Sequence, residues 1–315
     1  MAAQLQRPEF VYMGGKLRAW DEATLHIGCE AVTRGLNVFE GIKGYWQTNG
    51  QFGILQLERH YERLCRSAAL LHIPCKWTYE EYESAIFELI GVLVTPDRDM
   101  WARTTLYVIE GHWGEGTMAD LVVTAYHQDK QLPQPINLGV STWRRSADEA
   151  LPARIKTSTN YQAGRLARIE GRSMDCQDMI LLNQWGRVAE ATGSCVLMVR
   201  DGTVYTPPAT EGALESITLD VIEALSQSSG IKFVRRPIDR TELLIADEVG
   251  LCGTLAELTL VKSIQGRTFA KAPSLLQSLQ AAYMEVARGV VSHPGIELTY
   301  LPNRRSATCS PPKQH

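Results

Sequence analysis

The sequence predicts two domains, the first of α+β type. Three observations carry this. At 315 residues the chain is long for one hydrophobic core and comfortable for two. Residues 1–128 read as strands, then helices, then strands again, the order of a small α+β domain. Residues 129–135 are mostly polar, carry two prolines and read as a linker to a second series of elements over 136–302. The polar tail 303–315, with two adjacent prolines, is expected to be disordered.

Each element has a local cause. Phe10–Met13 and Lys16–Ala19 flank Gly14-Gly15, a two-residue hairpin turn. Val38 to Trp46 reads as a strand that turns at Thr48-Asn49-Gly50 into Phe52–Leu55. Apolar residues at 57, 61, 64, 68 and 71 give a helix that Ile73-Pro74 ends. A second helix spans Tyr79 to Val94, with Thr78 and Glu81 in capping-box spacing. Arg103–Val108 and Asp120–Tyr126 are strands around a glycine-rich loop, 110–117. In the second half, Ile136–Val140 alternates as a strand does, and Trp143-Arg144-Arg145 turns loop-like. A helix follows Lys156 up to Gly171, then strands at 179–182, 188–192, 195–199 and 204–206. A helix at 217–226 stops near Gly230, and a strand follows at 232–237. Asp239 is placed to cap a short helix over 243–246; a strand at 249–252 and a last helix from Ser274 to Val290 complete the series.

Composition narrows the function. A hydrophobic fraction of 44%, a charged fraction of 21% and a net charge of −3 describe an ordinary soluble protein, with no field that would gather nucleic acid or anionic membrane. No apolar run reaches the length of a bilayer span, and residues 1–9 lack the apolar core of a signal peptide. Seven cysteines stand singly, without a Cys-x-x-Cys pair, which disfavours a disulfide framework or a zinc site and fits a reducing cytoplasm.

Four features of the second half require one explanation. Lys156 stands where a short segment gives way to polar Thr157–Tyr161, and a lysine held at such a place can form a Schiff base. Glu190 lies on a strand that is otherwise apolar and small, so it needs a partner: an arginine, or a protonated heterocyclic nitrogen. Ile217-Thr218 open a helix whose free N–H groups make an anion site. Gly253-Thr254 is a turn that can offer a hydroxyl and N–H groups to the same anion, and Arg63 can add a fixed charge. An amine, a carboxylate for a ring nitrogen and an anion cradle together describe a pyridoxal 5'-phosphate site.

Here the sequence resembles the fold-type IV pyridoxal-phosphate enzymes, the D-amino-acid aminotransferase-like fold, and within them the branched-chain amino-acid aminotransferase family. The matching stretches run in order from Val38-Phe39-Glu40-Gly41-Ile42 and Arg59 to Leu64, through Ser141-Thr142-Trp143 and Lys156 to Tyr161, to Glu190 to Ser194, Ser216-Ile217-Thr218 and Gly253 to Glu257. The resemblance implies a larger domain with a β-barrel-like core. It implies that Lys156 carries the cofactor and moves the substrate proton, Glu190 pairs with the pyridine N–H, and Tyr161 donates to the cofactor phenolate oxygen. Arg63, Ile217, Thr218 and Thr254 would bind the phosphate. Phe39 and Trp143 would line the substrate pocket, and Thr254 and Leu255 would offer N–H groups to the substrate carboxylate. The expected reaction is ping-pong amino transfer from an L-amino acid to a 2-oxo acid such as 2-oxoglutarate, by a homodimer or a multiple of dimers.

The chain departs from the family pattern at three places. Arg34 stands where an aromatic, usually tyrosine, is common, and Trp101 where tyrosine is usual, although Arg103 matches. The loop 110–117, with His112 and Trp113, differs from the family loop that reaches the neighbouring subunit's site. A donor with a polar or acidic side chain is therefore expected beside the branched-chain ones, with Arg34 facing it or paired to Glu30 or Glu40 instead. The alternatives are a lyase of the aminodeoxychorismate type and a D-amino-acid or R-amine transaminase.

Overall fold

A computed structural model describes residues 6–269 and 274–302. It holds two sheets. The first begins with the hairpin β1 (Phe10–Met13) and β2 (Lys16–Ala19), whose two turn glycines both have positive φ. A short α1 (Glu30–Thr33) leads to β3 (Asn37–Trp46), β4 (Phe52–Leu55), α2 (Leu57–Leu70) and α3 (Tyr79–Leu93). The Thr78–Glu81 capping box forms as predicted. Next come β5 (Asp99–His112) and β6 (Glu115–Gln128), which run far beyond the predicted strands. The glycine-rich stretch expected as a loop is instead the end of this hairpin. Its pairing persists to 112 and 115 through register shifts, and only Trp113-Gly114 turn, both at positive φ. The glycines there serve a turn and bulges rather than an open loop.

Residues 129–135 form neither helix nor strand and carry the chain to the second sheet. There β7 (Ile136–Arg144) takes in Trp143 and Arg144, which the sequence places in a loop. A 3-10 turn, Ser158–Tyr161, precedes α4 (Gln162–Arg172). Then follow β8 (Asp178–Leu182), β9 (Val188–Ala191), β10 (Cys195–Arg200), β11 (Thr203–Thr206), α5 (Ile217–Ser228), β12 (Phe233–Arg235) and α6 (Arg240–Leu243). Asp239 occupies the N-cap position of α6 without a side-chain capping bond. After β13 (Glu248–Gly253) comes β14 (Glu257–Ile264), a strand missing from the sequence expectation, then β15 (Arg267–Thr268), α7 (Leu275–Ala287) and β16 (Leu298–Tyr300).

The first sheet has the order β16-β4-β3-β5-β6-β1-β2, so its edge is supplied by the far end of the chain. Its core packs Val38, Ile42, Leu106 and Val123 against Leu64, Ile86 and Leu89 of α2 and α3. The second sheet has the order β12-β11-β10-β13-β14-β7-β8-β9, with β15 on β14. There β9 ends the order, yet it is followed after three residues by β10, near the opposite end. The sheet meets both demands by curling into a half-barrel. Val196, Met198, Leu251 and Ile180 fill one of its faces, while Leu197 and Leu258 on the other pack with Leu219 of α5 and Leu279 of α7. No helix among the described residues is long and apolar enough to cross a membrane. The tail 303–315 lies outside the described residues.

Candidate active site

The segment carrying Lys156 is held from both sheets. On the side of the first sheet, Phe39 N donates to Lys156 O (2.9 Å), Lys156 N donates to Ser67 Oγ on α2 (3.1 Å), and Ser158 Oγ donates to Asn37 Oδ1 (2.8 Å). On the other side, Arg145 Nη1 donates to Asn160 O (2.8 Å), and Asn160 Nδ2 closes the loop on the carbonyls of Pro152 (2.9 Å) and Ile155 (2.8 Å). The lysine backbone is thus fixed at the seam of the two sheets. Its Nζ donates to Tyr161 Oη at 2.8 Å, and the Phe39 ring packs between Tyr161 and Arg103.

Arg63, expected to add a fixed charge, is buried, only 4% exposed. The buried face of α2 carries His60, Arg63 and Ser67 among Leu57, Leu64 and Ala68. Arg63 Nε donates to Glu40 Oε1 (2.8 Å) and Nη2 to Glu40 Oε2 (2.7 Å), a bidentate pair, while Nη1 reaches Glu215 O (2.6 Å). His60 Nδ1 lies 2.7 Å from Glu40 Oε2. Burial alone would raise the Glu40 carboxyl, but the charge and hydrogen bonds of Arg63, with those of His60, bring it down to about 2. Burial lowers His60 against the pull of Glu40, so the neutral ring donates its Nδ1–H to the carboxylate.

Glu190 has the arginine partner that its place on an apolar strand allows. Arg145 Nη2 stands 3.1 Å from Oε1, and Leu214 N donates to Oε2 (2.9 Å). A carboxylate offers about four lone-pair sites, so these two contacts leave acceptor capacity toward the cavity. About 350 Å³ of space, part of it open to solvent, lies within that cavity. It is lined by Lys156, Tyr161, Glu190, Arg63, Ser216 and Thr254, among others. Ile217 and Thr218 line an adjoining cavity that shares Thr254. They open α5, whose cap is made by Ser216 Oγ accepting from Leu219 N (3.2 Å). The N–H groups of Ile217 and Thr218 have no acceptor among the described residues.

The remaining predicted residues divide. Arg103 lies beside the cavity, with Nη2 donating to Ser158 Oγ (3.1 Å) and its guanidinium 3.6 Å from the Phe39 ring centroid. No carboxylate pairs with it among the described residues, and burial lowers its pKa. Trp101 stacks on Tyr126 across β5 and β6, centroids 5.5 Å apart. Trp101 does not line the cavity, and neither do three further residues. Trp143 is 46% and Leu255 50% exposed, while Arg34 pairs with Glu30 at 3.2 Å and lies 4.5 Å from the Trp113 ring centroid. Sequence reasoning missed Glu40, His60, Ser67 and Arg145. The rule that drew attention to Glu190, a charge on an apolar strand, applies equally to Glu40 on Val38–Ile42.

These residues fit pyridoxal 5'-phosphate. A positioned primary amine, a carboxylate with free lone pairs, a helix N-terminus with unspent N–H groups, and an arginine with two of its five N–H groups unspent match its aldehyde, ring nitrogen and phosphate. Fold and site together define a pyridoxal-phosphate-dependent aminotransferase of fold type IV. The chain belongs to the amino-transferase class IV family, whose profile matches residues 37–264. Among its relatives, the branched-chain-amino-acid aminotransferase of Escherichia coli (strain K12) is 30% identical over 270 residues, 83% of this chain and 86% of that one. A probable branched-chain-amino-acid aminotransferase of Synechocystis is 31% identical over 87% of this chain and 91% of its own. The PLP form of the branched-chain enzyme of Thermobaculum terrenum superposes with a TM-score of 0.86 at 31% identity, covering 94% of this chain and 99% of that one. The branched-chain enzyme of the thermophilic archaeon Thermoproteus uzoniensis, solved with norvaline, gives 0.84 at 29% identity over 89% and 95%.

Proposed function

We propose that this aminotransferase moves the amino group of a branched-chain or polar L-amino acid to 2-oxoglutarate by a ping-pong reaction centred on Lys156. The observation that carries this reading is the placing of Lys156 Nζ, 2.8 Å from Tyr161 Oη, in one cavity with Glu190 and Arg63. When bound, the cofactor supplies the electron sink that makes a substrate Cα proton removable. Lys156 holds the cofactor by its amine, then takes the Cα proton and returns it, with Tyr161 Oη fixing the direction of the Nζ lone pair. Glu190, oriented by Arg145 and the Leu214 N–H, accepts the ring N–H. Arg63 with the Ile217 and Thr218 N–H groups and the Thr254 hydroxyl bind the phosphate. Arg103, a largely buried cation without a carboxylate of its own, receives a substrate carboxylate. Phe39 walls the substrate side.

Relatives named as branched-chain aminotransferases favour transfer over a lyase reaction and favour a branched-chain donor. Trp113, at the hairpin end, is proposed to face the site of a neighbouring subunit in a homodimer, as the family resemblance implies for its loop, carrying Arg34 beside it, with Trp143 and Leu255 completing the pocket. A cytoplasmic location is part of this reading. A donor panel in both enantiomers, assayed with and without 2-oxoglutarate, tests it. Acceptor-dependent turnover of L-leucine or L-valine is expected. Pyruvate release without an acceptor, or turnover of D-amino acids alone, would overturn it.

A further inference from the structure

Seven cysteines without a Cys-x-x-Cys pair give no reason to connect any two of them. The fold brings two together. After α2 ends, His72 takes a left-handed turn (φ 53°), and Ile73 buries its side chain and donates its N–H to Ala68 O (2.9 Å). Further on, Tyr61 Oη, one helical turn before Cys65, donates to Trp77 O (2.7 Å). Cys75 is therefore pinned on both sides, at Ile73 and at Trp77, against the face of α2 that carries Tyr61 and Cys65. The two sulfurs stand 3.2 Å apart, and both residues are half-buried, within reach of a small oxidant.

The two thiols are not equivalent. The hydrogen bond from Cys75, aided by Tyr61 and the charge of Arg66 and opposed by burial, brings the Cys65 thiol down to about 7. The same bond and its own burial push Cys75 well up. One sulfur is set up as a thiolate and the other as the thiol beside it. A second neighbouring pair, Cys195 and Cys252 on facing positions of β10 and β13, is buried and supplies an internal control.

We propose that Cys65 and Cys75 form a reversible dithiol–disulfide site, oxidised by a hydroperoxide, that staples the second half of α2 to the segment leading into α3. The Cys65 thiolate attacks a peroxide oxygen, the O–O bond breaks, and the leaving alkoxide takes a proton to become an alcohol, or water where the oxidant is hydrogen peroxide. Cys65 is then a sulfenic acid. The Cys75 sulfur attacks it, the S–S bond forms, and the hydroxyl leaves as water with the Cys75 proton. The two electrons lost by the sulfurs have gone to the peroxide. A dithiol reductant reverses the sequence by exchange, returning both thiols and becoming a disulfide itself. Arg63 and Ser67 stand two residues to either side of Cys65, so the staple falls on the helix that carries the Arg63 guanidinium and the acceptor of the Lys156 N–H.

The test is peptide mapping of the holoenzyme after hydrogen peroxide, under non-reducing conditions and then after dithiothreitol. A Cys65–Cys75 cross-link is expected, with loss of two alkylatable thiols, full recovery on reduction, and Cys195 and Cys252 unchanged. Cys75→Ser is expected to stop at Cys65 sulfenic acid, captured by dimedone, and Cys65→Ser to leave Cys75 unoxidised. Absence of the cross-link in the wild type, a link between other cysteines, or equal dimedone capture at Cys65 with and without Cys75 would overturn the proposal.

Discussion

Replacing Glu40 by glutamine tests whether the site depends on a buried ion cluster that never touches substrate. Glu40 is fully buried and holds Arg63 in a two-bond fork, with His60 as a third donor. Its carboxyl lies at about 2 against an ordinary 4.5. That difference, at about 1.4 kcal/mol for each tenfold change in proton affinity, corresponds to roughly 3 kcal/mol of stability. Breaking a buried pair from one side gives a similar figure, about 3–5 kcal/mol, because Arg63 is left buried without its counter-charge. At about 2–4 °C per kcal/mol for a protein of this size class, Glu40→Gln is expected to melt about 10 °C lower. Arg63 also loses its aim at the phosphate. One charged hydrogen bond, worth about 1.5–3 kcal/mol, predicts cofactor binding weakened about 10- to 100-fold. Thermal melts of apoenzyme and a cofactor titration measure both. The sign with pH is fixed: a lowered folded-state pKa gives stability that is complete above the unfolded value and lost as pH falls from about 4.5 towards 2. The gap between wild type and variant should therefore shrink in acid. A variant that melts within about 2 °C of wild type at neutral pH and binds cofactor equally well would refute the reasoning.

Arg103→Met should raise the KM for 2-oxoglutarate at least tenfold, about 1.4 kcal/mol, with a smaller effect on a monocarboxylic acceptor, read from steady-state kinetics with both. Glu190→Gln should retain bound cofactor by absorbance while kcat falls roughly 10²-fold or more. Arg34→Tyr should shift the donor ranking away from polar and acidic side chains towards leucine and valine; an unchanged ranking on a donor panel would remove Arg34 from selectivity.

The strands and helices of the first half were legible because turn glycines, a proline stop and a capping box mark them locally. The β5–β6 hairpin reads short in the sequence because glycines at 111, 114 and 116 break the pattern while cross-strand pairing continues. β14 is hidden because only Glu257 to Leu260 alternates polar with apolar residues and the Gly253-Thr254 turn breaks the pattern just before it. At the site, Lys156, Tyr161 and Glu190 were legible through chemistry and resemblance. The residues that hold them were not. His60 and Ser67 look like the wet side of α2 until Glu40 of β3 meets His60 and Lys156 N reaches Ser67. Arg145 looks like one of two adjacent loop arginines until Glu190 and Asn160 close on it.

Other polar groups join the two sheets. Lys43 of β3 pairs with Glu257 of β14 at 2.6 Å, Tyr45 meets Tyr283 of α7 at 3.0 Å, and Arg59 of α2 pairs with Asp220 of α5. Lys156 takes one backbone bond from β3 and gives one to α2, while the carboxylate and helix end that face it belong to the second sheet. Neither half carries a complete cavity, so a ligand spanning it binds only the docked arrangement. Such a ligand stabilises the seam in proportion to the logarithm of its concentration over Kd. The buried Lys43–Glu257 pair is then the device that sets the register of one sheet on the other. An apolar seam of equal area could slide, and a slide of about one ångström would separate Lys156 from the groups it must face.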